Sequence, residues 1–253
     1  MSCRMTKWVM YSMVLGNSLH IQGFSIDWDK IGEYSYLREI EAIKGVDSLS
    51  FNKPITFFVG ENGSGKSTLL EAIAVAYGFN PEGGTKNYSF STYDSHSELC
   101  DAIRLSKGYK KAGWGYFLRA ESFYNVATAE AEYSKYGGTP QRLHEKSHGE
   151  SFLEIAQNNF KANGVYLLDE PEAALSPQRQ LTLLMEIAGC ANEDSQFIIV
   201  THSPILLGIP DAEILSFDNG AIHPIEYEET DSYQVTEMFI NNRKQILRRL
   251  LGE

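Results

Sequence analysis

At 253 residues the chain has room for one domain with a substantial core, or for a domain carrying a small insertion. Its composition, 43% hydrophobic and 22% charged with no low-complexity tract, excludes a disordered or fibrous chain. A formal net charge of −11 excludes an overall basic field that would draw it onto nucleic acid, and no segment reaches the roughly 18 apolar residues of a membrane span.

At the start of the chain, Arg4 and Lys7 precede an apolar run from Trp8 to Leu15. The run faintly resembles a secretion signal, but it is short and lacks a clear small-residue cleavage site. A core strand, or a start among Met1, Met5, Met10 and Met13, is the expected reading. The cysteines Cys3, Cys100 and Cys190 are far apart and form no C-x-x-C pair, which points to a reducing, cytoplasmic setting.

Next come short apolar runs alternating with helical patterns. Ile55–Val59 (ITFFV) reads as a buried strand, followed by a glycine loop and a helix over Thr68–Tyr77. Val165–Leu168 (VYLL) and Phe197–Val200 (FIIV) are two more buried strands, with a helix over Leu181–Ala188 between them. Apolar runs that do not alternate, separated by helices, predict an α/β sandwich with a mostly parallel central sheet and helices on both faces. From about Phe79 to Gly138 the chain is rich in Gly, Tyr, Ser and charge. This predicts a small inserted subdomain at about 79–160 on a single domain spanning 1–253. Arg243, Lys244, Arg248 and Arg249 cluster in a last helix-like segment, which reads as a solvated helix face.

The glycine loop Gly60-Glu61-Asn62-Gly63-Ser64-Gly65-Lys66-Ser67 matches G-x-x-x-x-G-K-[ST]. Its glycines let backbone N–H groups converge on phosphate oxygens, and the helix that follows, with Thr68 in its first turn, points its positive end at the same anion. Lys66 would reach the β- and γ-phosphates, and the Ser67 hydroxyl would ligate Mg²⁺. Val165–Glu170 (VYLLDE) ends a buried strand in two carboxylates, at the edge where parallel sheets bind ligands. Asp169 can hold Mg²⁺, and Glu170 can orient and deprotonate an attacking water. A further strand, in QFIIVTHSP, delivers His202 to the same edge, within reach of a γ-phosphate.

The stretch LHEKSHGES (143–151) carries two incompatible patterns. HEKSH fits the zinc-protease motif H-E-x-x-H, which needs one continuous helix through 144–148. SHGE fits the capping box S-x-x-E, which starts a helix near Ser147. The zinc motif and the phosphate loop each arise by chance on the order of once in a hundred chains of this length, so context must decide. Gly149 follows the second histidine directly and no third metal ligand is evident. By contrast, Glu150–Phe160 carries the apolar stripe of a packed helix at Phe152, Leu153, Ala156 and Phe160.

In order, GENGSGKST, SHGES, LLDEPEAALS and IIVTHSP resemble the Walker A, signature, Walker B with D-loop, and switch-histidine motifs of ABC-type ATPases. The wording DEPEAALSP is most similar to small stand-alone bacterial AAA-family ATPases. The resemblance implies a P-loop NTPase sandwich of ABC type, with ATP as the nucleotide and Mg²⁺ as its ion. Glu61, Asn62, Gly63, Ser64, Gly65, Lys66, Ser67 and Thr68 would form the nucleotide cradle, with Lys66, Glu170 and His202 catalytic. It places Ser147 at the signature serine and Gly149 at the second signature glycine, completing the site of a facing subunit in an ATP-dependent homodimer.

Several positions depart from the family pattern. His148 and Glu150 replace a signature glycine and glutamine, and Ser176 stands where the D-loop often has Asp. The Q-loop glutamine is not evident. WGYFLRAES offers Arg119 and Glu121 instead, with Glu121 expected near the metal. Tyr34 and Tyr36 lie where an aromatic stacks on adenine in transporters, although a core strand position is the expected role.

A transporter engine is disfavoured by the altered signature and missing glutamine. A chromosome-maintenance machine would need long coiled coils between Lys66 and Ser147. A nuclease-bearing relative would need a longer tail after His202. The competing expectation is a nucleotide-switched module governing a separate protein effector, such as a nuclease or toxin. A role on nucleic acid would need a local basic patch, and no direct membrane insertion is expected.

Overall fold

The computed structural model of the protein describes residues 19–85, 97–119 and 148–252, the first five of the last segment by backbone alone. In chain order the strands are β1 (Ile21–Ile26), β2 (Ser48–Ser50), β3 (Ile55–Val59), β4 (Ile103–Lys107), β5 (Trp114–Arg119), β6 (Gly164–Asp169), β7 (Gln196–Val200), β8 (Glu213–Ser216) and β9 (His223–Pro224). The helices are α1 (Glu41–Lys44), α2 (Lys66–Tyr77), α3 (Leu99–Ala102), α4 (His148–Asn159), α5 (Pro177–Ala191), α6 (Pro204–Leu207) and α7 (Asp231–Leu251).

The main sheet has the order β5-β6-β7-β3-β8-β9, parallel throughout except for the terminal β8–β9 pair. Every residue of β3, β6 and β7 is buried, as expected of strands covered on both faces. Their side chains alternate between two cores. Phe58, Leu167, Ile198 and Val200 pack with Leu69, Leu70 and Ile73 of α2. Phe57, Tyr166, Leu168, Phe197 and Ile199 pack on the opposite face with Ile155 and Ala156 of α4 and Leu183 and Ile187 of α5. The expected sandwich is therefore present.

A second sheet, β2-β1-β4, is antiparallel and shares the α2-side core. The buried side chain of Gln196 joins it to the main sheet. Its Oε1 accepts the Ile21 N–H and its Nε2 donates to the Ile21 carbonyl, both at 2.8 Å. Four described elements inside the window expected as an inserted subdomain belong to these layers: α3 in the α2-side core, β4 in the small sheet, β5 at the edge of the main sheet and α4 on its face. Residues 86–96 and 120–147 of that window lie outside the described residues, as does the Trp8–Leu15 run.

Local chemistry sets the helix ends. Gly78, at φ 106°, closes α2 with its N–H bonded to the Ala74 and Val75 carbonyls. Ser176 caps α5 by accepting the Arg179 N–H, and Pro177 opens the helix. So α5 starts four residues before the expected Leu181, and the serine at the D-loop aspartate position has a structural task. The four basic residues of α7 are exposed, as expected. No helix among the described residues is long and apolar enough to cross a membrane.

Because β3, β6, β7 and β8 run parallel, their carboxyl ends share one edge. Register pairs Asp169 with Val200, Phe58 with Val200 and Val59 with Ser216. The segments that follow those strands are therefore neighbours, although up to about 150 residues separate them in the chain.

Candidate active site

The glycine loop runs from the end of β3 into α2. Gly60, Gly63 and Gly65 all have positive φ, at 137°, 83° and 94°. Around Gly63 no atom lies within 4 Å of where a β-carbon would be, so that side of the loop is open. At Gly65 a β-carbon would come within 2.6 Å of Ile43 Cδ1 and 2.8 Å of Ile40 Cγ2, which allows only glycine under the α1 turn. A cavity of about 410 Å³ lies against the loop, lined by Asn62, Gly63, Gly65, Lys66, Ser67, Thr68, Glu170, Ile40 and Tyr36.

Lys66 is 5% exposed, and its ammonium donates to the Gly60 and Glu61 carbonyls at 2.7 Å each and to Ser64 Oγ at 3.4 Å. Burial lowers its pKa, while Asp218, Glu170, Asp169 and Glu61 oppose that shift. Ser67 Oγ donates to Asp169 Oδ1 at 2.9 Å, so the two expected metal-binding oxygens are already adjacent. Among the described residues no group of three His, Cys, Asp or Glu side chains is arranged to hold a metal. One hydroxyl and one carboxylate suit Mg²⁺, which keeps several waters and takes phosphate oxygens as its remaining ligands. The open cradle, the buried cation and this oxygen pair fit a nucleotide triphosphate with Mg²⁺.

Glu170 follows β6 with φ at 48°, in the left-handed region that a residue with a β-carbon rarely adopts. Its N–H bonds to the Val200 carbonyl at 3.0 Å, which holds this conformation and keeps the residue in the cavity lining. Such strain is concentrated at functional sites. His202 lies across the edge, in the wall of a neighbouring cavity of about 780 Å³ that also includes Gly60, Glu61 and Asn62.

The structure also brings in residues that sequence reasoning passed over. Asp218, just past β8, accepts the Glu61 N–H at 2.9 Å and a hydrogen bond from Ser216 Oγ at 3.2 Å, which anchors the start of the loop. EILSFD ends an apolar run in a carboxylate, the same signal that VYLLDE carries. Glu172 accepts the His202 N–H at 2.6 Å. Burial pushes the Glu172 carboxyl up, and the hydrogen bond from the His202 main chain opposes the shift.

Tyr34 and Tyr36 require a correction. They are not core strand residues: they are 97% and 55% exposed, and Tyr36 begins a 3₁₀ turn beside the loop cavity. Their segment has hydrophilic neighbours on both sides, which leaves it at the surface. Arg119, at the end of β5, pairs with Glu71 of α2 at 2.9 Å. Glu121 and Ser147 lie outside the described residues, and so do positions 144–147 of the zinc reading. Helix α4 is described from His148 onward, with Gly149 as its second described residue; the choice between the two readings of LHEKSHGES turns on positions outside the described residues.

The raised Glu172 pKa has a consequence for stability. A carboxyl that is harder to ionise in the fold contributes stability that is complete below the ordinary value of 4.5 and is lost as pH rises through the raised value. Replacing it by the neutral amide in Glu172→Gln removes that loss. Thermal melts are expected to show the variant gaining in Tm over the native protein at pH 8, with the gain shrinking as pH falls toward 5.

These features, a Walker-type loop between strand and helix with acidic residues and a histidine at one parallel-sheet edge, define a P-loop ATPase of ABC type. The chain belongs to the AAA-domain family, whose model matches residues 36–164. A second family model, described as "AAA domain, putative AbiEii toxin, Type IV TA system", matches residues 142–208. The phosphate import ATP-binding protein PstB 1 of Streptococcus mutans is 26% identical over 85% of this chain and 93% of its own. Among solved structures, the SMC head domain from Thermotoga maritima has 16% identity and a TM-score of 0.45, covering 82% of this chain and 100% of that one. A nucleotide-free ATP-binding cassette from an ABC transporter has 17% identity and a TM-score of 0.45, covering 85% and 94%.

Proposed function

We propose that the protein hydrolyses ATP at a composite site formed when two copies close on the nucleotide, and that this cycle is coupled to a partner protein. The observation that carries the reading is the adjacency of Lys66, Ser67, Asp169 and Glu170 around one open glycine cradle. Lys66 and the loop amides bind the β- and γ-phosphates. Ser67 and Asp169 hold Mg²⁺, which when bound supplies charge neutralisation at those phosphates. Glu170 orients a water and takes its proton, and His202 meets the terminal phosphate from the opposite side. Ser147 and Gly149 form an anion-binding helix N-terminus for the nucleotide of the facing copy. Glu121 is assigned to the metal surroundings.

A site shared between two copies makes turnover depend on protein concentration. Phosphate release per molecule is expected to rise with concentration and then saturate, and Ser147→Arg is expected to abolish the rise. Constant activity per molecule across the range would refute the shared site.

The second reading is a nucleotide-switched module governing a separately encoded effector. It is supported by the toxin–antitoxin wording of the family model that matches residues 142–208. It differs in requiring a partner held in the ATP state and released in the ADP state.

A further inference from the structure

The turn after β6 and the loop after β7 are joined by side chains rather than by a continued sheet. Asp169 pairs with Val200, and the last backbone bond runs from the Glu170 N–H to the Val200 carbonyl. Beyond it the N–H of His202 has no strand to pair with, and the carboxylate of Glu172 takes it at 2.6 Å. A bond this short to an ionisable acceptor is among the stronger hydrogen bonds a loop can make.

A second clamp lies beside the first. Ser203 Oγ donates to Gln180 Oε1 at 2.6 Å and accepts the Ile205 and Leu206 N–H groups at 3.2 Å each, so Gln180 secures the cap of α6. Among the described residues, it is Glu172 that secures the amide of His202 itself. Two atoms of this pair, Glu172 Oε2 and His202 Nε2, are buried with no hydrogen-bond partner among the described residues. The main chain at His202 is therefore anchored, while its Nε2 has no partner among the described residues.

We propose that Glu172 is a positioning residue for ATP hydrolysis: by accepting the His202 main-chain N–H, its carboxylate sets the angle at which the imidazole meets the terminal phosphate. The inference rests on the role given to His202 above. Glu172 acts through that residue and does not itself touch the nucleotide. The requirement is an acceptor oxygen at the end of a side chain of this length, not a charge. Glutamine meets it. Aspartate keeps the charge but falls one methylene short.

The test compares Glu172→Ala, Glu172→Gln, Glu172→Asp, His202→Ala and the double variant Glu172→Ala/His202→Ala, by steady-state ATP hydrolysis and by binding of a fluorescent ATP analogue. Glu172→Ala is expected to lower kcat by about 10- to 50-fold while KM and the analogue's Kd stay within about threefold, the pattern of an interaction that matters in the transition state. Glu172→Gln should recover most of that loss, and Glu172→Asp should not. The double variant should be no slower than His202→Ala within about twofold, because the two changes remove one function.

Losses that multiply in the double variant would overturn the proposal, as would aspartate outperforming glutamine. Native kcat in Glu172→Ala beside an impaired His202→Ala would remove Glu172 alone. Native kcat in His202→Ala would remove the parent reading of the histidine, and with it this one. Should the alanine variant fail to fold, the order of glutamine and aspartate still decides.

Discussion

Glu170→Gln is expected to lower ATP turnover by about 10²- to 10⁴-fold, the range associated with loss of a general base, while ATP binding stays within a few-fold of native. The amide has the shape of the carboxylate but cannot take a proton from water. Its backbone is unusual, at φ 48°, and is held by the bond to Val200. That bond belongs to the main chain, so the substitution leaves the strained turn in place. The lining of the loop cavity also keeps its shape. Phosphate release and equilibrium nucleotide binding, measured on the same preparation, separate the two effects. Normal turnover would remove Glu170 as the base.

Lys66→Ala is expected to fail earlier, at binding. The ammonium is buried and, among the described residues, donates to loop atoms at Gly60, Glu61 and Ser64, so it is already positioned where phosphates would sit. Hydrogen bonds involving a charged group contribute about 1.5–3 kcal/mol, which corresponds to a Kd weakened roughly 10- to 150-fold. Isothermal titration with ATP and Mg²⁺ measures it. A native Kd would show that the loop amides suffice without the cation.

The site was legible in the sequence wherever a short local pattern carries its own mechanism. The glycine loop needs its strand before and its helix after, and both are present as β3 and α2. Asp169 and His202 were legible because continuous apolar runs are buried on both faces, which forces a parallel sheet and places all carboxyl ends on one edge.

What stayed hidden depends on pairings between distant segments. Strand β1 (IQGFSI) is only weakly patterned, and its partners lie some 25 residues away in β2 and some 80 away in β4. Gly23 marks the close approach: a β-carbon there would come within 2.3 Å of the Leu49 carbonyl oxygen. No local signal announces such a contact. Glu172 reads as one more charge in DEPEAALS until the register of β6 against β7 sets it beside the amide of His202. Tyr36 was misread because a tyrosine is equally at home in a strand and beside an open cavity, and only the turn it occupies separates the two.

The central claim, a nucleotide site completed by a second copy, is tested most directly by the solution mass of Glu170→Gln from light scattering, with and without ATP and Mg²⁺. ATP is expected to double the mass, and adding Ser147→Arg is expected to restore the monomer. A protein that binds ATP and remains monomeric would contradict the account.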